Sequence, residues 1–411
     1  MTHKSLSKEV IAETIDRASP LLRDLSWKIH DHPELGYKEV YAHKTLTDFL
    51  ESQGFQVTRH ACGIETAFVA DFEYLGEGDH MTDRVRSIGF CSEFDALPSV
   101  GHGCGHNLIA ITGVAAALAI RQALIQHKIP GKVRLLGTPA EETLGGKIPM
   151  LAQEAFSGLD ACLMVHPGPA DVLYRQPLGV GRLEVEFFGH AAHASASPSE
   201  GVNALDAFAI AYNAVAMLRQ QSLPTNRIHS ILTHGGEADN IIPDYVTGVF
   251  MYRAVQNQDF VKLHDRLVEI LEAAAKATGC RVKINKVMEY LPLNNNSILT
   301  ERFGEYMRSM GASYATRTIE ETMPTGSTDM GNVTRALPGF HPVFTIANLD
   351  SRREDGLSTH SLRFAELSRT ETAHLTALRS AKAMAMTGLD VLVDPDFTRL
   401  AREEYDHSMG H

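Results

Sequence analysis

Apolar side chains recur at helical spacing between residues 7 and 31 (Val10, Ile11, Ile15, Leu21, Leu22, Leu25, Trp27), which predicts a helix with Pro20 marking a break or a new start. Residues 30–36 read as a loop, and a second helix is predicted over 38–53. Short strand-like runs follow at 56–58 and 66–72, and a polar segment, 73–86, separates them from a continuous apolar run at 88–94. That run closes on Asp95-Ala96-Leu97-Pro98 and leads through the glycine-rich turn 101–107 into an Ala/Leu/Ile segment, 108–124, predicted as a core helix. Apolar runs at 133–137 and 161–165 repeat the order of strand, loop and helix. The pattern predicts an α/β layer arrangement on a mostly parallel sheet, with the chemistry just past the C-terminal strand ends.

Near residues 177–181 the pattern changes. Leu183, Val185 and Phe187 alternate with Glu184 and Glu186, as in a half-buried antiparallel strand. A helix over 201–221, strands over 228–233 and 246–252, a helix over 260–278 and a strand over 281–288 complete a βαββαβ-like order. The predicted fold is therefore a mixed-sheet α/β/α domain, residues 1–179 and 291–411, carrying an inserted smaller α+β domain at 180–290.

The length of 411 residues, 44% hydrophobic and 21% charged, is ample for two cores. A formal charge of -12 argues against nucleic acid or an anionic membrane surface as partner. Five widely spaced cysteines, an odd number, show no disulfide framework and fit a reducing compartment. The segment MTHKSLSKEV has no apolar leader character, and no run of about 18 apolar residues is apparent. The expectation is a soluble cytoplasmic protein, with an organelle not excluded.

Cys104-Gly105-His106 is by itself a weak signal, since a buried free cysteine beside a satisfied histidine is the ordinary alternative. The next strand ends change its weight. Glu141-Glu142 lies among Pro139, Ala140, Gly145 and Gly146, and two adjacent carboxylates pointing different ways can do two jobs. His166 follows the third strand. Cys104, His106, Glu142 and His166 make a donor set suited to zinc or a similar divalent ion, and His360 can complete a two-ion site. Two ions about 3.5–4 Å apart lower the pKa of water from 15.7 toward about 7 and polarise a carbonyl. Glu141 would then serve as the base, adding roughly 10²–10⁴-fold. Asp95 reads either as the partner that orients a ligand histidine or as a strand-end cap. Ser327-Thr328-Asp329 can line a substrate pocket or cap a helix near Met330, and His102 and His190 are expected to face solvent.

Six stretches carry a resemblance: Glu93-Phe94-Asp95-Ala96-Leu97-Pro98, Gly103-Cys104-Gly105-His106-Asn107-Leu108-Ile109-Ala110 and Thr138-Pro139-Ala140-Glu141-Glu142 in the first half, then Gly189-His190-Ala191-Ala192-His193-Ala194, Asp239-Asn240-Ile241-Ile242-Pro243 and Gly326-Ser327-Thr328-Asp329-Met330-Gly331-Asn332-Val333. In this order, over nearly the whole chain, they resemble the dinuclear metallohydrolases that include aminoacylases, plant auxin–amino acid amidohydrolases and glutamate-releasing carboxypeptidases, nearest to the Xaa-Arg (β-alanyl-lysine) dipeptidase subgroup. Asn107, where many relatives carry Asp, supports that subgroup, and Gly103 in place of Ala is expected to be silent. The resemblance implies Cys104, His106, Glu142, His166 and His360 as ligands of two divalent ions, Zn2+ first with Mn2+ or Co2+ as alternatives, and Glu141 as general base. His341 and His374 are rivals for the place of His360. It further implies a catalytic domain with a lid or dimerisation insert, a homodimer, His193 reaching the partner subunit's site to stabilise the developing oxyanion, and Asn240 and Arg253 holding the substrate.

The implied reaction is hydrolysis of a dipeptide or an N-acyl-amino acid. A dipeptidase needs a site for a free amino end and an acyl-amino acid hydrolase an apolar acyl pocket, and the sequence does not mark which is present. The rival from another class is a non-catalytic, metabolite-binding dimeric homologue.

Overall fold

The structure, a computed structural model, describes residues 3–76, 85–322, 324–347 and 356–410, so part of the polar segment 73–86 lies outside it. The chain separates into two compact units. The first comprises Met1–Arg175, Leu293–Met323 and Asn332–His411, and the second Gln176–Pro292 with Pro324–Gly331. The insert thus begins and ends within a few residues of 180 and 290. The segment Pro324–Gly331, which the hydropathy pattern assigned to the first domain, belongs with the second because Pro324–Thr325 pairs in parallel with Gln176–Pro177 and Leu178 N donates to Gly326 O.

In the first unit a six-stranded mixed sheet runs in the order Gln56–Arg59, Phe68–Tyr74, Gly131–Gly137, Ser87–Ser92, Ala161–Leu163, Gly339–Phe340. The first two strands are antiparallel to their neighbours and the last four are mutually parallel. Every residue of Ser87–Ser92 is buried, which is why that strand reads as an unbroken apolar run. The helices His106–His127 and Glu371–Val393 pack on the sheet, and His3–Asp31 packs on both. Glycine lets the last layer close: a Cβ at Gly388 would meet Phe90 Cζ at 2.9 Å.

Two expectations fail here for physical reasons. The first helix runs unbroken through Pro20. Ile11 and Ile15 before the proline and Leu22, Leu25 and Ile29 after it are all at most 4% exposed. That burial on both sides is worth about 1.5–3 kcal/mol per side chain and outweighs one lost backbone bond. His106–His127 is, by length and composition, apolar enough to cross a membrane, contrary to the expectation that no such run exists; 83% of its apolar window is buried inside the first unit.

The second unit has a four-stranded antiparallel sheet in the order Arg281–Tyr290, Gly179–Phe188, Tyr245–Ala254, Arg227–His234. Helices Ala204–Leu218 and Asn257–Thr278 cover one face, completing the predicted βαββαβ order. Its core is separate, built on Leu183, Val185 and Phe187 from the alternating strand and on Leu263, Leu267 and Leu271 at helical spacing.

Candidate metal centre

The four parallel strands end at one edge of the sheet, and each leads into a polar side chain: Glu93 and Asp95, Glu141 and Glu142, His166, and His341. Between the first two strands, Gly105 opens the helix at His106 with φ +76°, and a Cβ there would lie 2.7 Å from Pro167 Cγ. Only glycine fits that approach. Gly103 is less constrained: its φ is not positive, and a Cβ would meet the Val100 Cγ1 methyl at 2.5 Å, so alanine there asks only that Val100 move. His360 arrives from a later loop, anchored by its backbone N donating to Gly103 O at 2.8 Å.

The fully buried His106 ring is oriented from behind. Its Nδ1 lies 2.9 Å from Asp95 Oδ1, and a carboxylate only accepts, so Nδ1 carries a proton and Nε2 is the ring atom turned to the site. Asp95 Oδ2 accepts Glu142 N at 3.0 Å, so one carboxylate fixes both a ring and the acidic turn. The reading of Asp95 as an orienting partner is the one the contacts match. His166 is set the same way: Nδ1 donates to Pro167 O at 2.6 Å, and Nε2 stands 3.5 Å from Cys104 Sγ.

The acidic turn is held in an uncommon backbone. Ala140, fully buried, has φ +61°, and Gly145 N and Gly146 N close the turn onto Ala140 O and Pro139 O. Glu39, buried by the first unit, accepts Ala140 N at 2.8 Å through Oε1 and Thr66 Oγ1 at 2.8 Å through Oε2. Burial, then the neighbouring Asp95 charge, pushes the Glu39 carboxyl up to about 7. His360 is also left-handed, at φ +64°. Non-glycine residues in this region store on the order of 1–3 kcal/mol each, and both flank the same donors.

Two groups of donors meet at Cys104, each with ligand atoms within 4.8 Å of one another: Cys104, His106, His166, and Cys104, Glu142, His360. His360 Nε2 lies 3.1 Å from Glu142 Oε1. The donors fit divalent cations. His106 Nε2 is buried without a hydrogen-bond partner. Bond lengths of about 2.0–2.3 Å to zinc place tetrahedral donors roughly 3.4–3.6 Å apart, which the 3.5 Å between Cys104 Sγ and His166 Nε2 meets. Of the rival histidines, His374 hydrogen-bonds Ser19 Oγ at 2.9 Å, and His341 is buried against the His166 ring, with centroids 5.5 Å apart. Neither joins these groups.

Electrostatics agree with a site whose donors compete for protons. Burial, then the Glu142 charge, pushes the Cys104 thiol up. Burial opposes a charge on His106, but Asp95 and Cys104 outweigh it and hold the imidazole well above its usual range. Burial, then Arg175 and His106, depresses His166 well below its usual range. Burial would raise Glu142, yet the His360 hydrogen bond and the His106 charge leave it low.

The remaining sequence candidates lie in the second unit. An antiparallel bridge sets His193 beside Ile241, and Ala194 N donates to Asn240 O at 3.0 Å, so His193 and Asn240 become neighbours. His193 Nδ1 accepts Ser195 N and Ala196 N, each at 3.3 Å, which leaves the ring proton on Nε2. Arg253 Nη1 donates to Ser327 Oγ at 3.0 Å. Thr328 is buried and its Oγ1 accepts Met330 N at 3.2 Å, the capping arrangement. His102 is not solvent-facing: it is 2% exposed and Nε2 meets Ile29 O at 3.1 Å, whereas His190 is exposed.

Sequence reasoning missed Lys147, Arg175 and the part played by Glu93 and Glu39. Lys147 and Glu93 are both fully buried and form an ion pair at 2.5 Å. A lysine directly after Gly145-Gly146 was the available signal. Arg175, 9% exposed, gave none, because its neighbours come from distant segments.

Comparison with known proteins leads to the same place. Residues 178–279 match a family model described as a peptidase dimerisation domain. The chain is 40% identical over 407 residues to the Xaa-Arg dipeptidase of Mus musculus, covering 97% of this chain and 92% of that protein. It is 27% identical to a p-aminobenzoyl-glutamate hydrolase chain of Escherichia coli strain K12, covering 96% of this chain and 94% of the other. Its fold is similar, at TM-score 0.61 and 19% identity over 92% of this chain and 99% of the other, to a Bacillus subtilis protein described as a dinuclear metal binding peptidase from the M20 family.

Proposed function

The chain belongs to the M20 peptidase family and is a hydrolase acting on amide bonds, and on that premise we propose that it cleaves dipeptides with two divalent cations, Zn2+ first, held by Cys104, His106, Glu142, His166 and His360. The observation that carries this reading is the pair of donor groups sharing the Cys104 thiol. When bound, such ions lower the proton affinity of water and polarise a carbonyl oxygen.

The protein's own groups do the rest. Glu141, 7% exposed and with Oε2 4.0 Å from His106 Nε2, takes a proton from the attacking water and passes it to the leaving nitrogen as the C–N bond breaks, giving a carboxylate and a free amine. His193 offers its Nε2–H to the carbonyl oxygen as charge develops there, in the site of a second copy, with Asn240 beside it. Arg253, steadied by Ser327, takes the substrate carboxylate with its planar fork. Thr328 contributes by capping the turn that carries Ser327.

A homodimer through the second unit is part of the proposal, supported by the matched dimerisation domain and by the edge strand Arg227–His234, which exposes Ile231 and Leu232. Five free thiols support a cytoplasmic setting. A second reading, N-acyl-amino acid hydrolysis, is kept because the Escherichia coli relative aligns over 96% of the chain. Parallel assays of β-alanyl-lysine and Xaa-Arg dipeptides against N-acetyl and aromatic N-acyl amino acids decide between them. Preferred turnover of the dipeptides is expected; turnover of the acyl compounds alone would replace the first reading with the second.

A further inference from the structure

Glu39 is completely buried and stands immediately before the helix Val40–Ser52. A side-chain oxygen at that position ordinarily accepts the first free N–H groups of the helix, yet Glu39 makes no such bond. Glu34 does so in its place, with Oε1 accepting Tyr41 N at 2.9 Å and Oε2 accepting Ala42 N at 3.0 Å. The Glu39 carboxylate is thereby left for the acidic turn and its surroundings, where Oε1 accepts Ala140 N and Oε2 the Thr66 hydroxyl, each at 2.8 Å.

That single N–H matters because Ala140 carries the turn. It is fully buried at φ +61°, a region that a residue with a side chain occupies only where its surroundings enforce it. Its carbonyl accepts Gly145 N at 2.9 Å and Thr143 N at 3.3 Å, which closes the loop that presents Glu141 and Glu142. The segment that carries Glu39 also lies against both catalytic strand ends. Ala96 N, next to Asp95, donates to Glu34 O at 2.8 Å. A Cβ at Gly36 would lie 2.9 Å from Ala140 Cα and 2.5 Å from Thr143 Oγ1, so residues 34–39 rest directly on the acidic turn.

We propose that Glu39 is the positioning residue of the acidic turn: by accepting Ala140 N it fixes the strained backbone from which Glu141 and Glu142 project. This rests on the metal-dependent hydrolase reading above and adds to it a residue from outside the donor groups. The role requires an acceptor oxygen and not a charge. A glutamine amide can accept Ala140 N through its carbonyl and donate its NH2 to the Thr66 hydroxyl, whereas a leucine of similar size can do neither.

The test compares Glu39→Leu with Glu39→Gln and adds Thr66→Val, which removes only the second anchor of the carboxylate and guards against a fold lost to the leucine. Backbone hydrogen exchange over residues 138–146 of the cation-free proteins reads the turn itself, and steady-state kinetics of the Zn2+-loaded proteins on β-alanyl-lysine and Xaa-Arg dipeptides reads its consequence. Glu39→Leu, folded by circular dichroism, should exchange faster over 138–146 while the helix His106–His127 keeps wild-type protection. Its kcat should fall about 10–100-fold with KM little changed. Glu39→Gln should restore both, and Thr66→Val should show the same pattern more weakly. Wild-type turnover by Glu39→Leu, a Glu39→Gln protein as impaired as Glu39→Leu, or faster exchange spread evenly through the first unit would overturn the inference while leaving the functional reading intact. A wild-type protein without cation-dependent turnover would instead remove the functional reading, and the exchange comparison would then decide alone whether Glu39 holds the turn.

Discussion

Replacing Asp95 by Asn tests how the site is assembled, because one carboxylate holds two N–H groups: His106 Nδ1 at 2.9 Å and Glu142 N at 3.0 Å. An asparagine has the same shape but one acceptor oxygen, so whichever way it turns, its NH2 faces one of these donors. A buried hydrogen bond to a charged group contributes about 1.5–3 kcal/mol. Loss of the carboxylate behind a ligand histidine typically weakens metal binding about 10–100-fold, roughly 1.4–2.7 kcal/mol, so the two estimates coincide. At a free cation concentration about 100 times the wild-type Kd, stabilisation by the ion should fall from about 2.7 kcal/mol to about 0.4 kcal/mol if affinity drops 100-fold. Calorimetric titration gives the affinity, and thermal melts with and without the cation give the stabilisation. An Asp95→Asn protein that folds and binds cations as tightly as wild type would refute the orienting role and reduce Asp95 to a cap on its strand end.

Other predictions follow from the same geometry. Glu141→Gln should retain its cations by elemental analysis while kcat falls by about 10²–10⁴; undiminished turnover would remove Glu141 from the mechanism. Arg253→Lys should raise KM for carboxylate-bearing substrates by about tenfold or more with a smaller effect on kcat, and an unchanged KM would dissociate Arg253 from the substrate. Mixing inactive His193→Ala chains with inactive Glu141→Gln chains should restore part of the activity, whereas no recovery places His193 in its own subunit's chemistry or in none. Burial lowers His102 to about 3, so between about 6.5 and 3 the unfolded chain binds a proton that the folded chain does not. Stability supplied by neutral His102 is thus complete above pH 6.5 and is lost as pH falls, up to about 5 kcal/mol in total. Urea melts from pH 7.5 to 4.5 should show a shallower acid loss for His102→Gln by about 1.4 kcal/mol per pH unit, and equal slopes would contradict this.

The elements of both units were legible in the sequence because hydrophobic period reports burial directly: the unbroken run at Ser87–Ser92 and the alternation in Gly179–Phe188 are consequences of two buried faces and one. The convergence of Cys104, Glu142 and His166 was legible too, since parallel strands bring their C-terminal ends together wherever they occur in the chain. What escaped is what packing decides. Pro20 stays helical because neighbours on both sides bury its helix. His102 looked polar and exposed, but it is packed against Ile29. Lys147 and Glu93, 54 positions apart, meet only after the acidic turn folds back, and no local pattern records that meeting.

Whether the Cys104 sulfur is shared by two cations decides everything built on it, and anomalous diffraction from crystals grown with Zn2+ measures that directly. Two peaks per chain are expected, both within about 2.3 Å of Cys104 Sγ, one also against His106 and His166 and the other against Glu142 and His360. No peak at that sulfur, or a single ion bound elsewhere with Cys104 packed among hydrocarbon side chains, would contradict it.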